Sequence, residues 1–180
     1  MKRLFVAIDL PGELRSEIAG FCRRLPSTRP VVAEQLHLTL RFIGEVDDRC
    51  YDGIKKALAS VRFAEFQLEL RGAGCFPSVV RPRVLWLGLA ESPQLMNLQR
   101  QIESSLVAVG VTPEERPFAP HITLARFREA SPADISPFLR ERRDLQLGPF
   151  TVGEFYLYSS LLGSSGATHR REAAYRSIVL

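Results

Sequence analysis

One short segment occurs twice in this chain. His37-Leu38-Thr39-Leu40 returns 84 residues later as His121-Ile122-Thr123-Leu124. The two copies use two of only three histidines and two of six threonines in 180 residues. Successive side chains of a strand point to opposite faces, so polar and apolar residues in alternation mark a half-buried strand. His37 and Thr39 therefore share one face, and Leu38 and Leu40 the other. His121 and Thr123 are opposed to Ile122 and Leu124 in the same way. Any fold for this chain must hold two equivalent strands, each buried under helices on its apolar side and open on its polar side.

The rest of the chain supplies such helices. Pro11 suits a helix start, with Leu14, Ile18, Phe21 and Leu25 at helical spacing. Asp47-Asp48 can cap a helix running to about Ser60. Ser92-Pro93 caps another, whose apolar stripe is Leu95, Leu98, Ile102, Leu106 and Val109. Ser131-Pro132 opens a short one to about Arg142. Strands are predicted at 4–8, 37–43, 66–70, 84–89 and 121–127, then one or two at 150–162 and a last one at 174–180. Gly72, Gly74 and the run from Pro77 to Pro82 read as a long connection, and 163–166 as a flexible turn. This order predicts a mixed α/β or α+β architecture. No linker is rich enough to separate independent units, so 1–180 is expected to be a single domain.

Composition narrows the class. With 46% hydrophobic and 24% charged residues, the chain is neither collagen-like, nor a coiled coil, nor disordered. No apolar run approaches the roughly 18 residues of a membrane span. The five apolar residues from Leu4 to Ile8 are too few for the core of a signal peptide, so a cytoplasmic protein with no membrane partner is expected. Cys22, Cys50 and Cys75 are odd in number and lack CxxC spacing, against a disulfide framework or zinc site. The net charge is +4, and 21 of the 24 basic residues are arginine. Arginine forks suit phosphate. A bias toward arginine codons explains the count equally well, so charge alone does not decide the ligand.

The chemistry lies in the repeat. Imidazole takes up and releases protons near neutrality. Two imidazoles on opposite sides of a phosphorus can divide the work, one as neutral base and one as protonated acid. Two hydroxyls between them can donate to the non-bridging oxygens. One His-x-Thr strand alone is more simply a half-buried strand with a satisfied histidine; the matched pair reverses that preference. Two histidines without accompanying carboxylate or thiolate spacing make a poor metal site.

On these residues the chain resembles the 2H phosphoesterase superfamily. More closely, it resembles the RNA 2′,3′-cyclic phosphodiesterases once described as 2′–5′ RNA ligases. The likeness runs through Arg3-Leu4-Phe5-Val6-Ala7-Ile8, His37-Leu38-Thr39-Leu40-Arg41-Phe42-Ile43-Gly44, Arg81-Pro82-Arg83-Val84-Leu85-Trp86-Leu87-Gly88 and Pro120-His121-Ile122-Thr123-Leu124-Ala125-Arg126-Phe127. It is looser from Tyr156 to Tyr175. The resemblance implies a bilobal α+β fold, with two pseudo-symmetric lobes, antiparallel-rich sheets and a central cleft lined by the motifs. It implies that His37 is the proton donor to the leaving oxygen and His121 the proton acceptor from water. Thr39, Thr123 and Arg126 are implied to bind the phosphate, and Phe42 is a candidate for stacking on a base. No metal and no other cofactor is implied. The partner it implies is an RNA or oligonucleotide with a 2′,3′-cyclic phosphate end, and a monomer is expected.

Strict alternation conflicts with part of this. Arg126 and Phe42 each lie five positions after their histidine, on the opposite face unless a bulge intervenes. Arg41 has the parity of His37, as a phosphate ligand or a solvated strand-edge residue. His169, beside Arg170 and Arg171, matches no motif and reads as surface. The leading expectation is hydrolysis of a cyclic phosphate to a 2′-phosphate. Reversible 2′–5′ ligation by the same site, with a 5′-hydroxyl in place of water, is the alternative. A nucleotide- or RNA-binding module without turnover is the other, and it would leave a 2′,3′-cyclic nucleotide intact.

Overall fold

A computed structural model describes residues 1–21, 28–127, 135–163 and 166–178. The strands are β1 (Lys2–Asp9), β2 (Thr28–Pro30), β3 (His37–Val46), β4 (Phe66–Phe76), β5 (Val84–Leu89), β6 (His121–Phe127), β7 (Gln146–Val152), β8 (Glu154–Gly163) and β9 (Gly166–Arg176). The helices are α1 (Gly12–Ala19), α2 (Asp48–Ala59), α3 (Pro93–Ala108) and α4 (Ser136–Glu141). The expected caps are present. The Asp47 carboxylate accepts from the Cys50 amide at 2.8 Å, and Ser92 Oγ accepts from the Leu95 amide at 3.2 Å. Each satisfies an amide that the first helical turn leaves unpaired.

The described strands form one sheet in the order β7-β4-β5-β6-β3-β1-β8-β9, with β2 paired to β6. All its pairings are antiparallel. The order is a palindrome about the β6–β3 contact. Each half is a motif strand followed outward by three more: β3-β1-β8-β9 on one side, β6-β5-β4-β7 on the other. Between the motif strands the halves are joined by one backbone pair, Leu38 with Ile122, and β2 adds its pairing with β6. This is the α+β, two-lobed architecture implied by the resemblance.

The helices cover one face of the sheet. Leu38, Leu40, Ile122 and Leu124 are at most 2% exposed and belong to one core with Leu14, Ile18, Ile54, Leu58 and the α3 stripe Leu95, Leu98, Ile102 and Leu106. Val109, expected to extend that stripe, caps α3 and is exposed. β1 is buried on both faces. Leu4, Val6 and Ile8 enter the helix-covered core, while Phe5 and Ala7 join Tyr156 and Tyr158 in a second, smaller cluster on the other side. A continuous apolar strand is the sequence of a strand covered on both sides.

Three expected boundaries shift. β4 runs on through Gly72 and Gly74, which the sequence reading placed in a connection. β9 begins at Gly166, not near Ala174, because it pairs with β8 as a hairpin. Residues 150–162, expected as one or two strands, form two, and the first of them, β7, starts earlier, at Gln146. Leu25, Cys22, the start of the helix expected at Ser131, and Ser164–Ser165 lie outside the described residues.

Gly74 has a packing reason to be glycine. It is in register with Trp86 on β5, and a Cβ there would lie 2.3 Å from the Trp86 ring. The indole lies across the glycine and packs against Phe76, with ring centroids 5.1 Å apart. We expect Gly74→Ala to displace the indole and to lower unfolding stability by about 1–3 kcal/mol, the usual cost of overpacking. Urea denaturation measures this; an unchanged midpoint would mean that the ring has room to move.

Candidate active site

The site is built where the two halves meet. Leu38 and Ile122 are directly paired in an antiparallel register. Continuing that register by one residue sets His37 beside Thr123 and Thr39 beside His121. All four share the face opposite the helix-covered core, because their neighbours Leu38, Leu40, Ile122 and Leu124 are buried in it. The local two-fold of an antiparallel pair therefore places the imidazoles on one diagonal of a small polar square and the hydroxyls on the other. All four residues are partly exposed.

The two rings are held alike. His37 Nδ1–H donates to the Gln35 carbonyl at 2.6 Å, and His121 Nδ1–H donates to the Ala119 carbonyl at 2.8 Å. A carbonyl only accepts, so Nδ1 carries the hydrogen and Nε2 of the neutral ring keeps its lone pair. The same residue offset, two positions back, sets the tautomer in both halves.

The parity conflict is resolved by a repeated bulge. In the β1–β3 pairing, Val6 faces Arg41 and Ala7 faces Thr39, which leaves Leu40 unopposed. In the β5–β6 pairing, Leu85 faces Ala125 and Trp86 faces Thr123, which leaves Leu124 unopposed. The extra residue is thus the last of each tetrapeptide, and both strands show the same burial sequence over seven residues. Beyond the bulge, Phe42 and Arg126 return to the histidine face, both exposed. The Phe42 ring lies 6.1 Å from that of Phe5, which in turn lies 5.1 Å from the His37 ring.

The same bulge overturns both readings of Arg41. It is 7% exposed and points into the helix-covered side, where it pairs with Glu103 of α3 and donates to the carbonyls of Phe42 and Thr112. It is neither a phosphate ligand nor a solvated edge residue.

His169 also departs from expectation. It is partly buried and sits in the site: its ring lies edge-on to His37 at 5.4 Å and to Phe5 at 4.9 Å. With His37, Gln35, Asp9, Tyr158, Thr168 and Arg171, among others, it lines a cavity of about 330 Å³. Arg171 pairs with Asp9 and donates through Nε to the Tyr158 hydroxyl at 2.9 Å. That hydroxyl donates to Asp9 at 2.7 Å. A larger cavity of about 540 Å³ adjoins through Asp9, Arg15 and Arg171 but contains neither motif histidine. The sequence signal for these residues was the Gly163–Gly166 turn between two strand-forming runs. Read as a hairpin, it brings Arg171 opposite Tyr158. On the other side of the square, His121 meets Phe76 edge-on at 5.1 Å and Trp86 at 6.3 Å.

Burial sets the charge of His37. It pushes the ring from the ordinary value of 6.5 down to about 4, helped by His169 and Arg126 and opposed by the Gln35 carbonyl and Asp9. The free protein thus holds a neutral His37 at neutral pH. The described residues contain no group of three or more histidine, cysteine or acidic side chains placed to hold a metal ion. Among them, too, no helix is long and apolar enough to cross a membrane.

A palindromic antiparallel sheet carrying two equivalent His-x-Thr strands at its centre defines a two-histidine phosphoesterase architecture. Residues 10–163 match the profile of the 2′-5′ RNA ligase superfamily, and the chain belongs to that family. It is similar to proteins named RNA 2′,3′-cyclic phosphodiesterase from several organisms. Identity is 39% to that of Aeropyrum pernix, over 79% of this chain and 82% of the relative. It is 39% to that of Escherichia coli, over 76% and 77%, and 30% to that of Archaeoglobus fulgidus, over 93% and 96%. Among solved structures, E. coli LigT complexed with 3′-AMP superposes with a TM-score of 0.79 at 31% identity, covering 98% of both chains. TT0787 of Thermus thermophilus superposes with a TM-score of 0.79 at 29% identity, covering 97% of both.

The position of His37 yields a pH prediction. Between 6.5 and about 4 the unfolded chain binds a proton that the folded chain refuses. This contribution to stability is complete above 6.5 and is lost as pH falls through that window. Nuclear magnetic resonance of the imidazoles should find the His37 midpoint near 4. In His37→Asn, which keeps a side-chain N–H for the Gln35 carbonyl, stability should fall less between pH 6.5 and 4. A wild-type midpoint at 6.5 would contradict the burial argument.

Proposed function

We propose that this chain hydrolyses 2′,3′-cyclic phosphate ends of RNA, leaving a 2′-phosphate. The observation that carries the proposal is the polar square. Two imidazoles with their tautomers set identically lie diagonally across one strand pair, with two threonines on the other diagonal. In-line displacement at phosphorus needs a base on the entering side, an acid on the leaving side and donors for the equatorial oxygens, and the square can supply all three. The names of the relatives support the same substrate class.

In the proposed reaction, water approaches phosphorus opposite the 3′ oxygen. His121 Nε2 takes the proton from water, and His37 Nε2–H gives one to the departing 3′ oxygen. Thr39, Thr123 and Arg126 donate to the non-bridging oxygens, and Phe42 offers an exposed ring to the base. Every proton moves between named groups, so the scheme runs without a metal ion.

The donor role requires a protonated His37, which burial opposes in the free protein. A bound phosphodiester anion favours the imidazolium, so His37 takes up its proton as substrate binds. The depressed titration of His37 favours a second reading in which the roles are exchanged. An activated leaving group separates the two, because it needs no acid. Under the first assignment it partly rescues His37→Ala but not His121→Ala; under the exchanged one, the reverse.

On an oligoribonucleotide with a 2′,3′-cyclic phosphate end, each of His37→Ala and His121→Ala should lower kcat by roughly 10²–10⁴-fold. The product should be a 2′-phosphate, and activity should persist in EDTA. An intact cyclic phosphate with wild-type protein would favour a binding module. Loss of activity in EDTA with rescue by a divalent ion would refute the metal-free scheme, and an exclusive 3′-phosphate product would refute the identity of the leaving oxygen.

A further inference from the structure

Two-histidine chemistry leaves the third imidazole without a role, yet the fold brings it against the first. The His37 ring is confined on three sides. Gln35 holds its Nδ1, Phe5 lies 5.1 Å from it at a tilt of 31°, and His169 meets it at 74° and 5.4 Å. Gln35 also ties down the hairpin that carries His169. Its side-chain Nε2 donates to the Ala167 carbonyl at 2.8 Å, two residues before His169. One residue thus fixes both the tautomer of His37 and the strand that walls it. His121 has a carbonyl partner in Ala119, but alanine has no side chain with which to make a second tie.

We propose that His169 is a positioning residue, whose ring edge fixes the plane of the His37 imidazole so that Nε2 meets the reacting oxygen. The proposal rests on His37 being one of the two reacting imidazoles. A ring free to tilt would spend much of its time off line, and misplacement by about 1 Å costs on the order of 10²-fold in rate. The role is one of shape. A second cation beside a protonated His37 would oppose its protonation, and burial holds His169 below the ordinary imidazole value, which keeps it neutral beside its neighbour. The charged and titratable groups around the pair are Asp9 from β1, Arg15 from α1, Glu34 from the turn before β3, Tyr158 from β8 and Arg171 from β9, with Arg126 from β6 acting at longer range.

The test uses His169→Phe, which keeps a flat ring, and His169→Ala, which removes it, both in the full chain. Thermal unfolding establishes that each is folded. With the cyclic-phosphate oligoribonucleotide, the Ala variant should lose roughly tenfold or more in kcat with little change in KM, and the Phe variant should recover most of that loss. Nuclear magnetic resonance of His37 provides a readout independent of turnover. Its titration midpoint should rise in the Ala variant, because the space left by the ring admits water to an imidazole whose charged form burial disfavours, and should stay low in the Phe variant, which keeps the wall. Wild-type kcat in both variants, equal losses in both, or an unmoved His37 midpoint in the Ala variant would each overturn the proposal. Equal losses would mean that the imidazole acts on substrate through its nitrogens. If the wild type hydrolyses no cyclic phosphate, the functional reading fails, while the His37 midpoint still decides whether His169 governs that ring.

Discussion

The arrangement of the site depends on one backbone pair. Where Leu38 meets Ile122, two half-sheets become one sheet, and the two-fold of an antiparallel pair relates the residues on either side. Neither half contains a site alone. Each supplies one imidazole and one hydroxyl, and the pairing brings each imidazole beside the hydroxyl of the other half. The geometry is specified by side chains that never touch a ligand. Leu38, Leu40, Ile122 and Leu124 are at most 2% exposed, and a slip of one residue would turn the histidines of a strand into the helix-covered core. The hydrophobic register thus holds the histidine face outward.

The bulges at Leu40 and Leu124 are the second constraint. A regular strand presents only every other residue, so His, Thr and a third group five positions after the histidine cannot share a face. The inserted residue reverses parity once, after the threonine. In β6 this brings Arg126 to the histidine face. In β3 it brings Phe42 there and sends Arg41 inward to Glu103. A charged residue can occupy that inward position because the ion pair and two carbonyls satisfy it; the equivalent position in the other half is Ala125, which packs without partners to find.

Much of this was legible in the sequence, and the exceptions share a cause. Alternation revealed the two strands and their buried faces, and caps marked α2 and α3 to within a residue. The duplicated tetrapeptide revealed the two imidazoles and hydroxyls. The facing of Arg41, Phe42 and Arg126 was not legible, because a bulge is a property of a strand pair and not of one strand. Gly72 and Gly74 resembled a connection because glycine weakens a strand locally; Gly74 is paired in β4 with Trp86 of the next strand, whose ring fills the space a Cβ would need. His169 was missed for a similar reason. The polar run Thr168-His169-Arg170-Arg171 lacks alternation, and it becomes a strand only through its pairing with β8.

The duplicated motif also poses a problem of symmetry. The two tetrapeptides differ only in Leu38 and Ile122 and hold the same tautomer, yet the proposed reaction asks one imidazole to give a proton and the other to take one. What distinguishes them lies outside the repeat. His37 is enclosed by Phe5, His169 and the β8–β9 hairpin, and that enclosure disfavours its charged form. Around His121 the walls are Phe76 and Trp86 from β4 and β5, with no ionisable ring among them. Where β8 offers Tyr158 to hydrogen-bond Asp9 beside His37, β4 offers Gly74 beneath an indole. In the proposed reaction, the backbone symmetry brings the two imidazoles to one phosphorus. The asymmetry of the outer strands disfavours the charged form of His37 alone, so that under the proposed donor role its proton would be taken up with the bound phosphate anion.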